Sequence, residues 1–211
     1  MQPTPTQLRA LARRDPALGR AMRRLPCFPG FPRRGQVDSR FHALARAIVY
    51  QQLSGKAAAT IHGRLVALGG RGRFPRPEEL LALSDEELRG AGLSRAKTAA
   101  VRDLARRVCD RRLRLGGVHR LDDEAVVERL TEVRGIGRWS AEMFLMFHLG
   151  RLDVMPVGDL GVQEGLRLLD GLERRPTPDA LSARAEAWRP LCSVASWFLW
   201  RLVDEAREVR P

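Results

Sequence analysis

The 211-residue chain is poor in cysteine, in lysine and in long apolar runs. Its three cysteines, Cys27, Cys109 and Cys192, stand far apart and form no CxxC pair. That argues against a thiolate zinc site and against a thiol redox motif. An odd count at wide spacing suits reduced thiols in a cytoplasmic protein. The four histidines, His42, His62, His119 and His148, fall into no metal-ligand spacing. No apolar run approaches the ~18 residues of a membrane span, and the first residues are polar, unlike a signal peptide. No β alternation, repeat or low-complexity tract is present. Lysine occurs only at Lys56 and Lys97, so arginine carries nearly all the positive charge. With abundant Ala, Leu and Gly, part of that arginine reflects the codon usage of a GC-rich genome.

The excess of base over acid is a separate matter. Thirty-seven Lys and Arg face 25 Asp and Glu, a net charge of +12. Such a surplus favours a polyanionic partner and raises non-specific affinity for nucleic acid. With 44% hydrophobic residues the chain can build a core, as one domain or as two lobes sharing one.

Apolar residues recur at helical spacing throughout, which predicts an all-α protein. Helices are expected over 6–25, 39–53, 55–68, 77–83, 85–89, 95–112, 122–133, 138–149, 160–169, 178–187 and 191–209. Ser54, Ser84 and Ser94 are placed to cap three of them. Residues 27–38 and 69–77 read as Pro/Gly loops, and 150–158 as irregular.

The most informative stretch is VRGIGRWSAEMFLMF, residues 133–147. Gly135 and Gly137 bracket Ile136 between two amphipathic patterns. This reads as helix, tight turn, helix, with a turn too narrow for side chains on its inner edge. Bare amides at the start of a helix, aided by its dipole, form an anion site. An ordinary helical corner would have the same pattern.

The context narrows the choice. RGIGRWSAEMF, the Asp159 of PVGDLGVQ twenty residues after Trp139, IVYQQLSGKAA (48–58) and GLSRAKTAAVRDLA (92–105) occur in order. Together they resemble the helix-hairpin-helix DNA glycosylase superfamily, most closely its alkylpurine (3-methyladenine) branch. The resemblance spans about 41–203. It implies a two-lobed all-α fold, one lobe about 43–150 with the hairpin at 130–149, the other about 1–42 plus 151–211. The N-terminal β domain of some relatives is not expected. Nor is their iron–sulfur cluster, which needs four clustered cysteines.

From the residues alone, Asp159 reads as an N-cap, with Gly161 and Val162 supplying amides. The resemblance implies that it is also the catalytic carboxylate, and the two readings are compatible. Breaking an N-glycosidic bond puts oxocarbenium character on the deoxyribose, which a fixed negative charge stabilises. Asp153, Glu142 and Asp170 read as structural or solvated. Trp139 occupies the position where lyase-active relatives carry a Schiff-base lysine, so the resemblance implies a monofunctional enzyme. It also implies a base pocket lined by Trp139, Trp200 and Met143, the last in place of an aromatic. Leu191 and Cys192 replace a polar pair of the family pattern. Trp188 and Trp197 read as core. An aromatic pocket suits alkylated purines, which are cationic.

The resemblance further implies that Gln52 or Leu53, beside Ser54, fills the gap left by a flipped nucleotide. It implies phosphate contacts by Gly135, Gly137, Arg138 and Ser140. It implies a Na+ or K+ ion on the carbonyls of Thr131, Val133 and Ile136, where Arg134 replaces a common proline. Lys97 reads either as a DNA contact or as solvated helix surface. No catalytic cofactor is expected. The expected partner is double-stranded DNA, bound by a monomer in the cytoplasm at the nucleoid. Two rivals remain from the residues: a non-catalytic DNA-binding protein with the same hairpin, and a glycosylase for deaminated or mismatched bases.

Overall fold

A computed structural model describes residues 2–31, 39–53, 55–70 and 72–208. Among these, regular structure is entirely helical: α1 Pro5–Arg14, α2 Pro16–Arg24, α3 Arg40–Tyr50, α4 Gly55–Leu68, α5 Pro77–Ala82, α6 Asp85–Gly90, α7 Arg95–Cys109, α8 Asp123–Thr131, α9 Arg138–Phe147, α10 Leu160–Asp170, α11 Pro178–Ala185 and α12 Cys192–Glu208. The all-α class therefore holds. No described helix is long and apolar enough to cross a membrane.

The chain divides into two compact units, Met1–Arg33 with Gly150–Pro211, and Arg34–Leu149. They are called the outer and the central unit below. Helix α3 falls whole in the central unit.

Short-range signals set most boundaries. Ser39, Ser84, Ser94, Asp122 and Thr177 each accept an amide three residues on, which satisfies donors a helix start leaves open. Ser54, the expected cap of α4, lies outside the described residues. The single helix expected over 6–25 is a correction: it is two helices broken at Asp15. A residue before proline is driven out of the α region, and Asp15 is extended (φ −127°, ψ 94°) ahead of Pro16. Its carboxylate then caps α2 through the Leu18 amide at 3.0 Å.

In the outer unit Leu11, Leu18, Leu166, Leu181, Trp188 and Leu199 form a common core. Asp15, 4% exposed, sits at its edge. It accepts the Trp188 indole N–H at 2.7 Å and an Arg184 guanidinium N–H at 2.6 Å. Burial alone would raise the Asp15 carboxyl. The Leu18 amide, the Trp188 and Arg184 hydrogen bonds and the Arg184 charge together outweigh it and hold the carboxyl below its ordinary 3.8. In the central unit α3 packs on α4, α7 and α9, α5 on α7, and α8 on α9. Leu44, Ile48, Val101, Leu104, Leu130, Ile136 and Leu145 are among its buried residues.

Candidate active site and nucleic-acid interface

The outer unit places Asp159 by tying an irregular segment to a helix. Residues 150–158 have no regular structure. Their polar groups are satisfied by α12: the Ser193 amide donates to the Leu152 carbonyl at 3.0 Å, and the Val154 amide donates to Ser193 Oγ at 3.0 Å. Asp153 Oδ1 accepts the Cys192 amide at 3.3 Å, and Oδ2 accepts Arg189 Nη1 at 2.9 Å. From α10, Gln163 Nε2 donates to the Val157 carbonyl at 2.8 Å. The segment thus delivers Asp159 to the start of α10 in fixed register.

Asp159 is 9% exposed. Its Oδ1 accepts the Val162 amide at 2.8 Å and the Trp200 indole N–H at 3.0 Å. The cap expected from sequence is present, and a tryptophan 41 residues away holds the same oxygen. This close approach depends on small residues. A Cβ at Gly161 would lie 3.0 Å from both Asp159 Oδ1 and Trp200 Cδ1, and one at Gly165 would overlap the Leu199 carbonyl. Gly161 and Gly165 are one turn apart, so α10 offers α12 a smooth face. The G-x-x-x-G spacing in GVQEG was the available signal. Trp200 is half-buried, with its N–H engaged on the carboxylate. Trp197 packs edge-on against Phe28 and Phe198, and Trp188 is core. Burial pushes the Cys192 thiol well up, which makes it inert. Asp170 pairs with Arg184 at 2.8 Å.

The central unit carries the hairpin between α8 and α9. The Ile136 amide donates to the Val133 carbonyl at 3.0 Å and closes the turn. The two glycines differ. Gly135 has φ +78°, and a Cβ on it would stand 3.0 Å from Ala100 Cβ. Gly137, the residue before α9, has φ −94°, and a Cβ there would meet nothing within 4 Å. The tight inner edge read from sequence is thus a property of Gly135 alone. Gly137 faces open space at a helix start.

Two side chains, Gln51 and Asp103, brace the hairpin from behind, and Lys97 holds the backbone that carries Gln51. Gln51 Nε2 donates to the Gly135 carbonyl at 2.8 Å and to Ser140 Oγ at 3.0 Å. Lys97 Nζ donates to the carbonyls of Val49 and Gln51 at 2.8 and 2.7 Å. It is half-buried with its ammonium on these carbonyls, and burial lowers its pKa. Asp103 accepts the Arg134 amide at 2.9 Å, the N–H a proline would lack. Ser140 is 3% exposed, behind the turn rather than on its face. Arg138 is bound fork-to-fork by Glu124, one bond being 3.0 Å.

Trp139 is 41% exposed, and Met143 follows one turn later, half-buried. Gln51 ends α3, and the next residue, Gln52, is exposed with φ +52°. Leu53 is 40% exposed. Left-handed backbone is strained for a residue with a side chain. Sequence reasoning left Gln51 without a role and did not foresee the carbonyl partners of Lys97. Their bonds span 84 and 48 positions, beyond any local pattern. His42 and His62 meet with ring nitrogens 2.6 Å apart. Among the described residues, no three His, Cys, Asp or Glu are grouped to hold a metal ion.

A family model described as HhH-GPD superfamily base excision DNA repair protein matches residues 45–190. DNA-3-methyladenine glycosylase 1 of Schizosaccharomyces pombe is 37% identical over 175 residues, covering 81% of this chain and 77% of that protein. A solved structure of S. pombe 3-methyladenine DNA glycosylase in complex with abasic DNA superposes with a TM-score of 0.80 at 32% identity. It covers 92% of this chain and 95% of its own. DNA-3-methyladenine glycosidase from Bacillus halodurans superposes with a TM-score of 0.79 at 36% identity, covering 98% and 92%.

Proposed function

Because the chain belongs to the HhH-GPD superfamily of base excision DNA repair proteins, we propose that it is a monofunctional DNA glycosylase that excises alkylated purines from duplex DNA. The observation that carries this reading is Asp159, a nearly buried carboxylate with one oxygen fixed by the Val162 amide and the Trp200 indole. A flipped 3-methyladenine or 7-methylguanine is a good leaving group because its ring is already cationic. As the C1′–N bond breaks, the base departs with the bonding electrons and its charge is neutralised. Positive charge passes to the sugar. Asp159 stabilises that charge, and water adds at C1′ and loses a proton. Two donors on one oxygen prevent the carboxylate from turning away, so little reorganisation is needed at the moment of reaction.

No amine is offered at the position after GIGR. Trp139 stands there, and Lys97 is engaged with α3. The abasic strand is therefore left uncut. In the outer unit Trp200 offers the flipped base an aromatic face beside Asp159, which favours a cationic purine by ~1–2 kcal/mol once desolvated; in the central unit Trp139 and Met143 are read as base contacts. The strained, exposed corner at Gln52 and Leu53 supplies the wedge. Gly135 and Gly137 present amides to a phosphate, and Arg138 joins them by leaving Glu124 for the stronger anion. The carbonyls of Thr131, Val133 and Ile136 would hold a Na+ or K+ ion, which would neutralise charge beside the bound phosphate. The enzyme acts as a cytoplasmic monomer at the nucleoid.

Purified protein incubated with alkylated, deaminated and unmodified duplexes tests the reading. Free 3-methyladenine or 7-methylguanine and an intact abasic strand are expected. Binding without release of any base would reduce the protein to a DNA-binding module. Release confined to deaminated bases would reassign the substrate. A stoichiometric adduct trapped by borohydride would make it a lyase.

A further inference from the structure

One cavity lies in the central unit beside the hairpin, sharing only Asp103 and Arg134 with the groups described above. It holds about 500 Å3, and its walls come from α6, α7 and the residue before the hairpin. Five arginines line it: Arg89, Arg95, Arg102, Arg106 and Arg134. Arg102 is committed, donating to Asp85 at 2.6 Å and to the carbonyls of Leu81 and Leu83. The other four are exposed, and among the described residues no hydrogen bond or salt bridge is made by their guanidinium groups. Three carboxylates also line the cavity. Asp85 is taken by Arg102, and Asp103 by Arg107 and the Arg134 amide. Glu86 opposes an anion, yet five guanidinium groups against three carboxylates leave a surplus of two positive charges.

Thr98 marks the wall. It is 2% exposed, lines the cavity, and its Oγ1 has no hydrogen-bond partner. A buried hydroxyl is rarely left unsatisfied in a native protein. Here it is a donor without an acceptor, beside four planar cations whose guanidinium groups make no hydrogen bond, although the Arg106 charge acts on Asp103. Tetrahedral phosphate offers acceptors in several directions, and guanidinium forks match it in pairs.

We propose that this cavity is a phosphate site, and that it takes a backbone phosphate of the duplex additional to the one at Gly135 and Gly137. The assignment to DNA rests on the function proposed above. It is favoured by continuity: Arg134 directly precedes Gly135, its amide is held by Asp103 of α7, and Gly135 leans on Ala100 of the same helix. A strand gripped by the hairpin has the cavity as its neighbour.

The test is a salt series of binding to undamaged duplex, with wild type, Arg95→Gln/Arg106→Gln and Thr98→Val. The parallel arm titrates inorganic phosphate calorimetrically into the same proteins without DNA. The altered groups make no hydrogen bond in the fold, Arg106 being tied only through the charge of Asp103, and equal melting midpoints check that the variants are folded. If a backbone phosphate is held, the arginine double variant lowers the slope of log K against log salt by about 1, the value of one phosphate contact. Thr98→Val weakens binding several-fold at fixed salt. The single-turnover excision rate at saturating enzyme stays unchanged. Unchanged slopes with phosphate binding that both variants abolish would overturn the DNA assignment and leave a site for free phosphate. Unchanged slopes with no phosphate binding would overturn the site. Failure of wild type to bind duplex at all would defeat the functional reading instead, and the phosphate arm alone would then decide the cavity.

Discussion

The two compact units hold their polar groups by opposite means. In the outer unit a charged side chain is drawn in. Asp159 is nearly buried, and Val162 and Trp200 are spent on one of its oxygens. In the central unit side chains stand behind the backbone and push it out. Gln51 and Asp103 bond main-chain atoms of the hairpin, Lys97 bonds the main chain of Gln51, and what they present is a glycine turn. Chemistry on a sugar needs one fixed charge in a dry place, where its field is strong. Holding a duplex needs bare amides and exposed cations that meet phosphates without regard to sequence. The comparison predicts that damage to one unit alters rate and damage to the other alters affinity.

The largest effect should come from Asp159→Asn, which keeps the side chain's size but removes the charge. Single-turnover excision should fall roughly 10²–10³-fold, with duplex affinity retained. Wild-type rates in this variant would remove the outer unit from the chemistry.

Next comes Asp15, which sharpens the comparison because it belongs to the outer unit's core and not to its site. Asp15→Asn removes the carboxylate charge held by Leu18, Trp188 and Arg184, while Arg184 keeps Asp170, and should lower stability by roughly 1 kcal/mol, seen as a lower melting temperature. The folded carboxyl lies below the unfolded value of 3.8. Its contribution is therefore complete above about pH 4 and is lost as pH falls through the lower, folded value. Wild type and variant should converge in stability below pH 4. A constant difference down to acid pH would mean the carboxylate charge is not what stabilises this unit.

Trp200 gives the smallest and most discriminating effect. Trp200→Phe keeps an aromatic face and loses the N–H on Asp159, whereas Trp200→Leu loses both. On cationic lesions the leucine variant should lose roughly 5–30-fold. On a neutral lesion such as hypoxanthine the gap between the two variants should narrow, because stacking is still lost with leucine but the charge term is absent. A leucine variant no worse than phenylalanine on 3-methyladenine would confine Trp200 to orienting the carboxylate.

How much of this was legible in the sequence depends on the range of the interaction. The all-α class, the hairpin and the caps at Ser84, Ser94 and Asp159 are visible because a cap acts three residues away. The break at Asp15 was hidden by an amphipathic pattern that continues across it, although Asp-Pro was its local sign. The partners that shape the candidate site were not visible. Trp200 reaches Asp159 over 41 positions and Gln51 reaches Gly135 over 84, and such pairs exist only once the helices pack. Gly161 and Gly165 were overlooked for a related reason. A glycine inside a helix carries no message until another helix lies against it. Arg138 was read as a phosphate ligand from its place after GIG, while its pairing with Glu124, 14 residues earlier, follows only from the folded turn.

The division between the units is tested most directly by measuring rate and affinity on the same four proteins: wild type, Asp159→Asn, Gly137→Leu and the double variant. Gly137 is the proper probe because its backbone is unstrained and its front is open, whereas any side chain at Gly135 would strain the turn and strike Ala100. Gly137→Leu should weaken binding to damaged and undamaged duplex equally and leave the single-turnover rate at saturating enzyme intact. Asp159→Asn should do the reverse, and the double variant should show both losses in full. A Gly137 variant that slows the saturated rate as much as Asp159→Asn, or that loses affinity only for damaged DNA, would contradict the account.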